Sequence, residues 1–329
     1  VIKKIAYPRA AVIGNPSDGF FGKTIAFPFS NFHAEARLAE SESIRIGSSD
    51  YANLEAFYQS YLQNGIDAEN PLISATLKRF YKHCQYQKAV LHDRGFCIQF
   101  DSDIPREVGL AGSSAIITAI IRTLLEYYDV TIPDRHLANL ILEVETREMG
   151  ISAGLQDRVV QAYESPVYMD FNESLMKVQG YGKYELLSPD LFQGFYIAYD
   201  TLGAEGSDVV HNNLRGRYDT GDVQVHQVMQ NLSQLTDEFL DALKMGDQEK
   251  VAECMNRNFD LRQSICAISN RNLEMITLAR SVGASAKFTG SGGAIIGNYK
   301  SEEMYQELEN VFASKGIQLF KPTIVNREK

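Results

Sequence analysis

The sequence predicts an α+β protein of two domains, and three observations carry that expectation. Its 329 residues exceed what one hydrophobic core usually organises. Apolar runs of strand period are mixed with longer runs of helical period along the whole chain. The end of the chain, 272–325, reads helix, strand, glycine turn, strand, helix, strand, an order that suits an open-faced α+β sandwich. A hydrophobic content of 44% is ordinary for a globular protein. The net charge of −10 argues against nucleic acid or an anionic membrane as a partner. A small phosphate-bearing ligand stays open, because a few local donors and a metal can hold one in an acidic protein.

The elements follow in order. The opening IKKIAYPRAAVIGNPSDGFFGKTIAFPFSNFHAEARL alternates around a turn cluster at 14–19, which reads as strand, loop, then two successive strands. Residues 50–64 and 70–84 have helical period, with Leu72, Ile73, Leu77 and Tyr81 recurring near every fourth position. GFCIQFDSDIP (95–105) alternates as a strand and stops at its proline. The helix after it carries one stripe of Ile116, Ile117, Ile120, Ile121, Leu124, Leu125 and Tyr128. A second helix covers 133–148, Pro133 and Asp134 suiting its first turn. PVYMDF (166–171) is a strand, and the turn-rich stretch 173–190 marks the boundary between domains at 1–180 and 181–329. Beyond it come a strand at 194–200 and helices at 222–245 and 247–267. The end reads helix 272–282, strands 285–289 and 293–299, helix 302–315 and strand 316–325.

Cys84, Cys97, Cys254 and Cys266 lack metal-ligand spacing and read as reduced thiols, which points to the cytoplasm. No apolar run reaches about 18 residues and the start has no signal-peptide pattern, so neither a membrane span nor secretion is expected. Monomer and homodimer are equally compatible with the sequence.

Four segments bear on chemistry. GKT at 22–24 imitates a P-loop, but the glycine required five residues earlier is Ser17, so it is rejected. PREVGLAGSSAIITAII (105–121) runs from a glycine turn into a helix, whose free amides and dipole suit an anion. Gly109 and Gly112 allow close backbone approach, and Ser113 and Ser114 stand where a hydroxyl caps the helix or meets a metal. The plainer alternative is a turn and a serine cap. AKFTGSGGAIIG (286–297) puts a glycine-dense turn between two strands, either backbone access for a ligand or a tight hairpin. In EVETREMGISAGLQDRVVQAY (143–163), Glu145 continues the row Leu137, Ile141, and Glu148 continues Leu140, Val144. Both glutamates therefore face inward, unlike Glu143 beside Asn139 and Arg147. An inward carboxylate is costly unless paired or bound to metal. Asp157 follows a glycine-bearing loop; a surface Glu and an Asp helix cap are the alternative.

Together these segments resemble the three signature motifs of the GHMP small-molecule kinases, named for galactokinase, homoserine kinase, mevalonate kinase and phosphomevalonate kinase. YPRAAVIGNPSDGFFG looks like the first motif, PREVGLAGSSA like the phosphate-binding second, and AKFTGSGGA like the third. Their order and spacing match over nearly the whole chain, although the second has one residue more than usual between Pro105 and Ser113. Within the family, NPSD, GLAGSSA, AGLQDR and FTGSGGA look most like the glucuronokinases, which phosphorylate the anomeric oxygen of glucuronate. GLQD also resembles anomeric heptose kinases and fucokinases.

The resemblance implies a ribosomal protein S5 domain 2-like N-terminal domain, a ferredoxin-like C-terminal domain, and a sugar 1-kinase using ATP and Mg²⁺. It implies that the amides of Gly109, Leu110, Ala111, Gly112, Ser113 and Ser114 cradle the ATP phosphates. Ser114 and Glu145 would hold the metal, with Glu148 in reserve. Asp157 would be the base or orienter for the anomeric hydroxyl, and Arg9 would keep it ionised and stabilise charge at the acceptor. Asn15 and Asp18 would bind sugar hydroxyls, and Gly290, Ser291 and Gly292 would close on substrate and phosphate. A uronic acid adds a carboxylate, best read by arginine or lysine. Lys23, Arg106, Arg158 and Lys287 lie in or beside the motifs, and Lys23 and Arg158 flank the substrate side. Galactose, galacturonate, fucose or a heptose phosphate are alternative acceptors. A mevalonate kinase and a non-catalytic sugar and ATP sensor are weaker readings.

Overall fold

The alternating segments at the start of the chain form four strands, β1 (Ile2–Ala6), β2 (Arg9–Ile13), β3 (Lys23–Pro28) and β4 (Ala34–Ser41). They belong to a computed structural model that describes residues 1–203 and 214–327. Contacts divide the chain into two compact units that interleave along the sequence. The first comprises Val1–Pro8, Phe32–Ile104 and Gly112–Ala162; the second comprises Arg9–Asn31, Pro105–Ala111 and Tyr163–Lys329.

In the first unit, β5 (Ile44–Ile46), β6 (Ser49–Tyr51) and β7 (Gly95–Ser102) join a five-stranded sheet in the order β1-β4-β7-β5-β6. Its long central pair is antiparallel from Ala34 opposite Ser102 to Ser41 opposite Gly95. Helices α1 (Leu54–Asn64) and α2 (Pro71–Gln87) appear where the fourfold repeats predict them. Asn53 starts the first by accepting from the Ala56 amide at 2.9 Å. Helix α3 (Gly112–Tyr127) lies on β1, β4 and β7, burying Ile117, Ile120, Ile121 and Leu124 completely. Ile116 and Leu125 are half-buried at the stripe's margins. The expected second helix is α4 (Asp134–Glu143), but its continuation over Val144–Glu148 widens into a π turn. Such wide turns cost helix stability and concentrate at functional sites. Helix α5 (Gln156–Tyr163) closes this part of the chain.

The second unit contains two four-stranded sheets. One has the order β2-β3-β8-β9, with β8 at Val167–Asp170 and β9 at Lys183–Leu186. The other has the order β11-β12-β10-β13, formed by β10 (Phe195–Tyr199), β11 (Lys287–Phe288), β12 (Ala294–Asn298) and β13 (Gln318–Phe320). After α6 (Glu173–Gln179) come the long helices α7 (Val223–Met245) and α8 (Gln248–Gln263), then α9 (Asn270–Ser281) and α10 (Glu302–Ala313). The apolar face of α7 buries Val225, Met229 and Leu232 with Phe20. Tyr196, Phe259, Met275, Phe288 and Phe312 form the core under the second sheet.

Two expectations change here. The stretch 173–190 is not merely turns: it holds α6 and the edge strand β9, whose Lys-Tyr-Glu-Leu alternation is too short to stand out. The compact units also differ from a single division at 180. Strand β3 pairs with β8 from Lys23 opposite Asp170 to Ala26 opposite Val167, which ties Arg9–Asn31 to the later chain. Among the described residues, no helix is long and apolar enough to cross a membrane.

Candidate active site

Arg9, on β2 and only 5% exposed, organises the glycine loops of the second unit. Its Nη1 donates to the carbonyls of Gly109 at 2.8 Å and Thr289 at 2.9 Å, while its amide donates to Leu110 O at 3.2 Å. The Thr289 hydroxyl gives the Gly109 carbonyl a second donor at 3.2 Å. In a planar trans peptide, C=O and the next N–H point in opposite directions. The amides of Leu110 and Ala111 are therefore turned away from Arg9. Val108 and Leu110 anchor the loop in the core. Glu107, Gly109 and Ala111 all have positive φ, at 60°, 73° and 62°. Two of these are not glycines, a strained path for so short a segment.

The turn at 289–293 is held from three sides. Arg262, 4% exposed, donates Nη1 to Gly290 O at 2.6 Å and Nη2 to Ser291 O at 2.8 Å. The same peptide geometry turns the amides of Ser291 and Gly292 away from Arg262. Asn272 Oδ1 accepts from the Gly293 amide at 2.9 Å, and the Asp200 amide donates to Gly293 O at 2.8 Å. The two glycine loops touch: a Cβ on Gly290 would stand 2.5 Å from Gly109 O, and one on Gly109 would stand 3.0 Å from Ser291 N. Glycine is required at both positions for that approach.

Three expected substrate residues, Asn15, Asp18 and Lys23, follow Arg9 along the chain. Asn15 is 4% exposed; its Nδ2 donates to Phe288 O at 3.3 Å, and its Oδ1 has no hydrogen-bond partner among the described residues. A buried acceptor without a donor calls for a ligand or water. Asp18 is half-buried in a short 3₁₀ turn, Ser17–Phe20. Lys23 is committed elsewhere: its Nζ pairs with Asp237 at 2.6 Å, and Tyr168 donates to the other Asp237 oxygen at 2.8 Å. Lys287 is not a surface charge. It is 1% exposed and donates to the carbonyls of Ala11 and Phe288, each at 2.7 Å. Burial first, then Arg262 and Arg9, holds its ammonium well below the usual lysine range.

In the first unit, the π turn places Glu145 almost fully inside, at 1% exposure. Its Oε1 accepts from Ser113 Oγ at 2.5 Å. Its Oε2 accepts from Arg158 Nε at 2.7 Å and from Nη2 of the same guanidinium. Arg158 Nη1 then donates to Asp157 Oδ2 at 3.1 Å and to Gly154 O at 3.0 Å. Ser113, Glu145, Arg158 and Asp157 are thus one connected chain. Ser113 is a serine that meets Glu145, and Ser114 is fully buried on the next step of α3. Gln156, in the GLQD segment, is a further buried polar residue of this region. It is 3% exposed, its Oε1 has no partner among the described residues, and its neighbour is Asp157.

Glu148 also faces inward as expected, but it is ion-paired. Lys78 pairs with one oxygen and Arg79 Nε with the other at 2.6 Å, and the Tyr61 hydroxyl donates at 3.3 Å. Burial and the Glu148 charge push the Tyr61 hydroxyl up to about 12. Glu148 therefore anchors the π turn to α1 and α2. Glu143 stays partly exposed beside Arg147, on the outer side.

Residues 72–165 match the family model for the GHMP kinases N terminal domain. The chain is 38% identical over 310 residues to the probable glucuronokinase 2 of Arabidopsis thaliana, covering 90% of this chain and 84% of that protein. It is 36% identical to glucuronokinase 1 of the same plant over the same shares. In fold it is similar to the crystal structure of Streptococcus pneumoniae phosphomevalonate kinase in complex with phosphomevalonate and AMPPNP. That likeness has a TM-score of 0.77 at 15% identity and covers 98% of this chain and 100% of that one.

Proposed function

The chain belongs to the GHMP kinases, and from that premise we propose that it is an ATP-dependent sugar 1-kinase converting D-glucuronate to 1-phospho-D-glucuronate. The connected set Ser113, Glu145, Arg158 and Asp157 carries this reading. It supplies a carboxylate for the acceptor's proton and, at its other end, a carboxylate beside a hydroxyl.

Asp157 orients the anomeric hydroxyl and takes its proton as the oxygen bonds to the γ-phosphorus. The bond from that phosphorus to the β-γ bridging oxygen breaks, and ADP leaves. The amides of 109–114 cradle the phosphates, and those of Gly290, Ser291 and Gly292 close on phosphate and sugar. Arg9 holds two of these loops in register through Gly109 O and Thr289 O, and as the motif-one arginine it stabilises charge at the acceptor. Asn15, through an Oδ1 without a partner among the described residues, and Asp18 bind sugar hydroxyls.

Among the described residues, no cluster of three or more His, Cys, Asp or Glu side chains is assembled. A small hard cation is commonly held by one or two protein oxygens, with the rest from phosphates and water. A carboxylate 2.5 Å from a hydroxyl fits that requirement. Glu145 would hold Mg²⁺ with a serine hydroxyl, Ser113 by contact in this structure or Ser114 by the family pattern. When bound, the ion neutralises charge on the β- and γ-phosphates.

For the substrate carboxylate, Lys23, Arg158 and Lys287 already have partners. Arg106 is exposed at the head of the phosphate loop and unpaired among the described residues, and we assign it that role. The four free cysteines support a cytoplasmic setting, and the partners are the sugar and ATP, for a monomer or homodimer.

The test is ADP release across glucuronate, galacturonate, galactose, fucose, a heptose phosphate and mevalonate. Glucuronate should turn over fastest. Arg106→Gln should raise its KM by about tenfold while KM for ATP stays within about twofold, the loss expected for a charge-assisted contact. Turnover of a neutral sugar with none of glucuronate would reject the assigned substrate.

A further inference from the structure

Arg158 does more than sit beside the acceptor's base. Its side chain is 7% exposed, and two of its nitrogens cover Glu145 Oε2 while a third reaches Asp157 and Gly154 O. With Ser113 on Oε1, neither oxygen of this buried carboxylate is open. An ionised carboxylate at 1% exposure needs a counter-charge, and a guanidinium supplies one that does not deprotonate. A divalent ion approaching Glu145 would meet that fixed positive charge at contact distance, in a poorly screened interior.

We infer that Arg158 is a built-in counter-ion that keeps Glu145 from taking a divalent metal until nucleotide is present. This rests on Glu145 being the metal ligand, as proposed above. In the nucleotide-free protein the guanidinium occupies the metal's place in the charge balance. The ATP phosphates add negative charge and further oxygens, which makes the exchange of guanidinium for metal at Oε2 favourable. Arg158 is not stranded by the exchange, because its bonds to Asp157 and to Gly154 O remain. Metal without nucleotide, which would neutralise Glu145 to no purpose, is thereby excluded.

The experiment measures Mn²⁺ binding to the full chain by electron paramagnetic resonance, without nucleotide. Wild type should bind weakly, and Arg158→Gln should bind at least about tenfold more tightly, because the competing charge is gone. The double variant Arg158→Gln with Glu145→Gln should lose that gain. No gain in Arg158→Gln, or a gain that survives Glu145→Gln, overturns the inference. If Arg158→Gln does not fold, wild type decides. A tight Mn²⁺ site in the bare protein that Glu145→Gln abolishes overturns the inference, and the lack of one supports it. Failure of wild type to release ADP with any sugar refutes the kinase reading instead; an active kinase with an unchanged Mn²⁺ affinity refutes only this inference.

Discussion

Asp157 has 16% of its side chain exposed and touches Arg158 at 3.1 Å. That combination leaves the carboxylate accessible yet oriented, as a group receiving a proton requires. Asp157→Asn keeps the size and removes the charge. It should lower kcat by about 10²–10⁴-fold, the usual contribution of a positioned base, with ATP affinity by calorimetry within about twofold. Unchanged turnover would reduce Asp157 to a helix-start residue and reject its role as the acceptor's base. At this scale the sequence is a good guide to direction and a poor one to partners. The four-residue rows through Leu137 and Leu140 put Glu145 and Glu148 inside, where they are found. Nothing in those rows says that Glu148 meets Lys78 and Arg79, or that Ser113 meets Glu145.

At the scale of elements, Lys287 fastens β11 to β2 by donating to Ala11 O, and its ammonium is pushed down by burial. The unfolded chain has an ordinary lysine, so between the lowered folded value and about 10.4 the unfolded state binds more protons. Stability attributable to this group therefore rises with pH across that window and levels off above it. Relative to Lys287→Met, wild type should gain up to about 1.4 kcal/mol of unfolding free energy per pH unit between pH 7 and 10, read by urea titration. A parallel pH profile in the variant would show that Lys287 is charged in the fold. The sequence marks Lys287 only as a basic residue beside a glycine turn. Its burial follows from β11 pairing with β12 while Ala11 of β2 lies against the Lys287 ammonium, contacts set by distant strands. The glycines at 109 and 290 are likewise visible one by one. That each is glycine because the other loop's backbone lies 2.5–3.0 Å from where a Cβ would be is a property of the pair.

For the whole molecule, a single continuous cut does not describe the chain, since Arg9–Asn31 and Pro105–Ala111 join the later segment by strand pairing and loop packing. Two protein oxygens are too few to fix Mg²⁺ alone, so metal and nucleotide should act as one ligand. Excess EDTA should abolish ADP release and added Mg²⁺ restore it, with the circular dichroism spectrum unchanged throughout; turnover persisting in EDTA would remove the metal from the proposal. The sequence by itself determined the α+β class, the positions of most helices and strands, the inward carboxylates and the three glycine segments. These depend on local periodicity and on residues that only certain turns accept. The tertiary structure alone decided that Lys23 is tied to Asp237, that Lys287 is buried, and that Arg158 bridges Glu145 and Asp157. A charged side chain's partner lies at a distance in space that its own sequence neighbourhood does not encode, and desolvation makes that partner decisive.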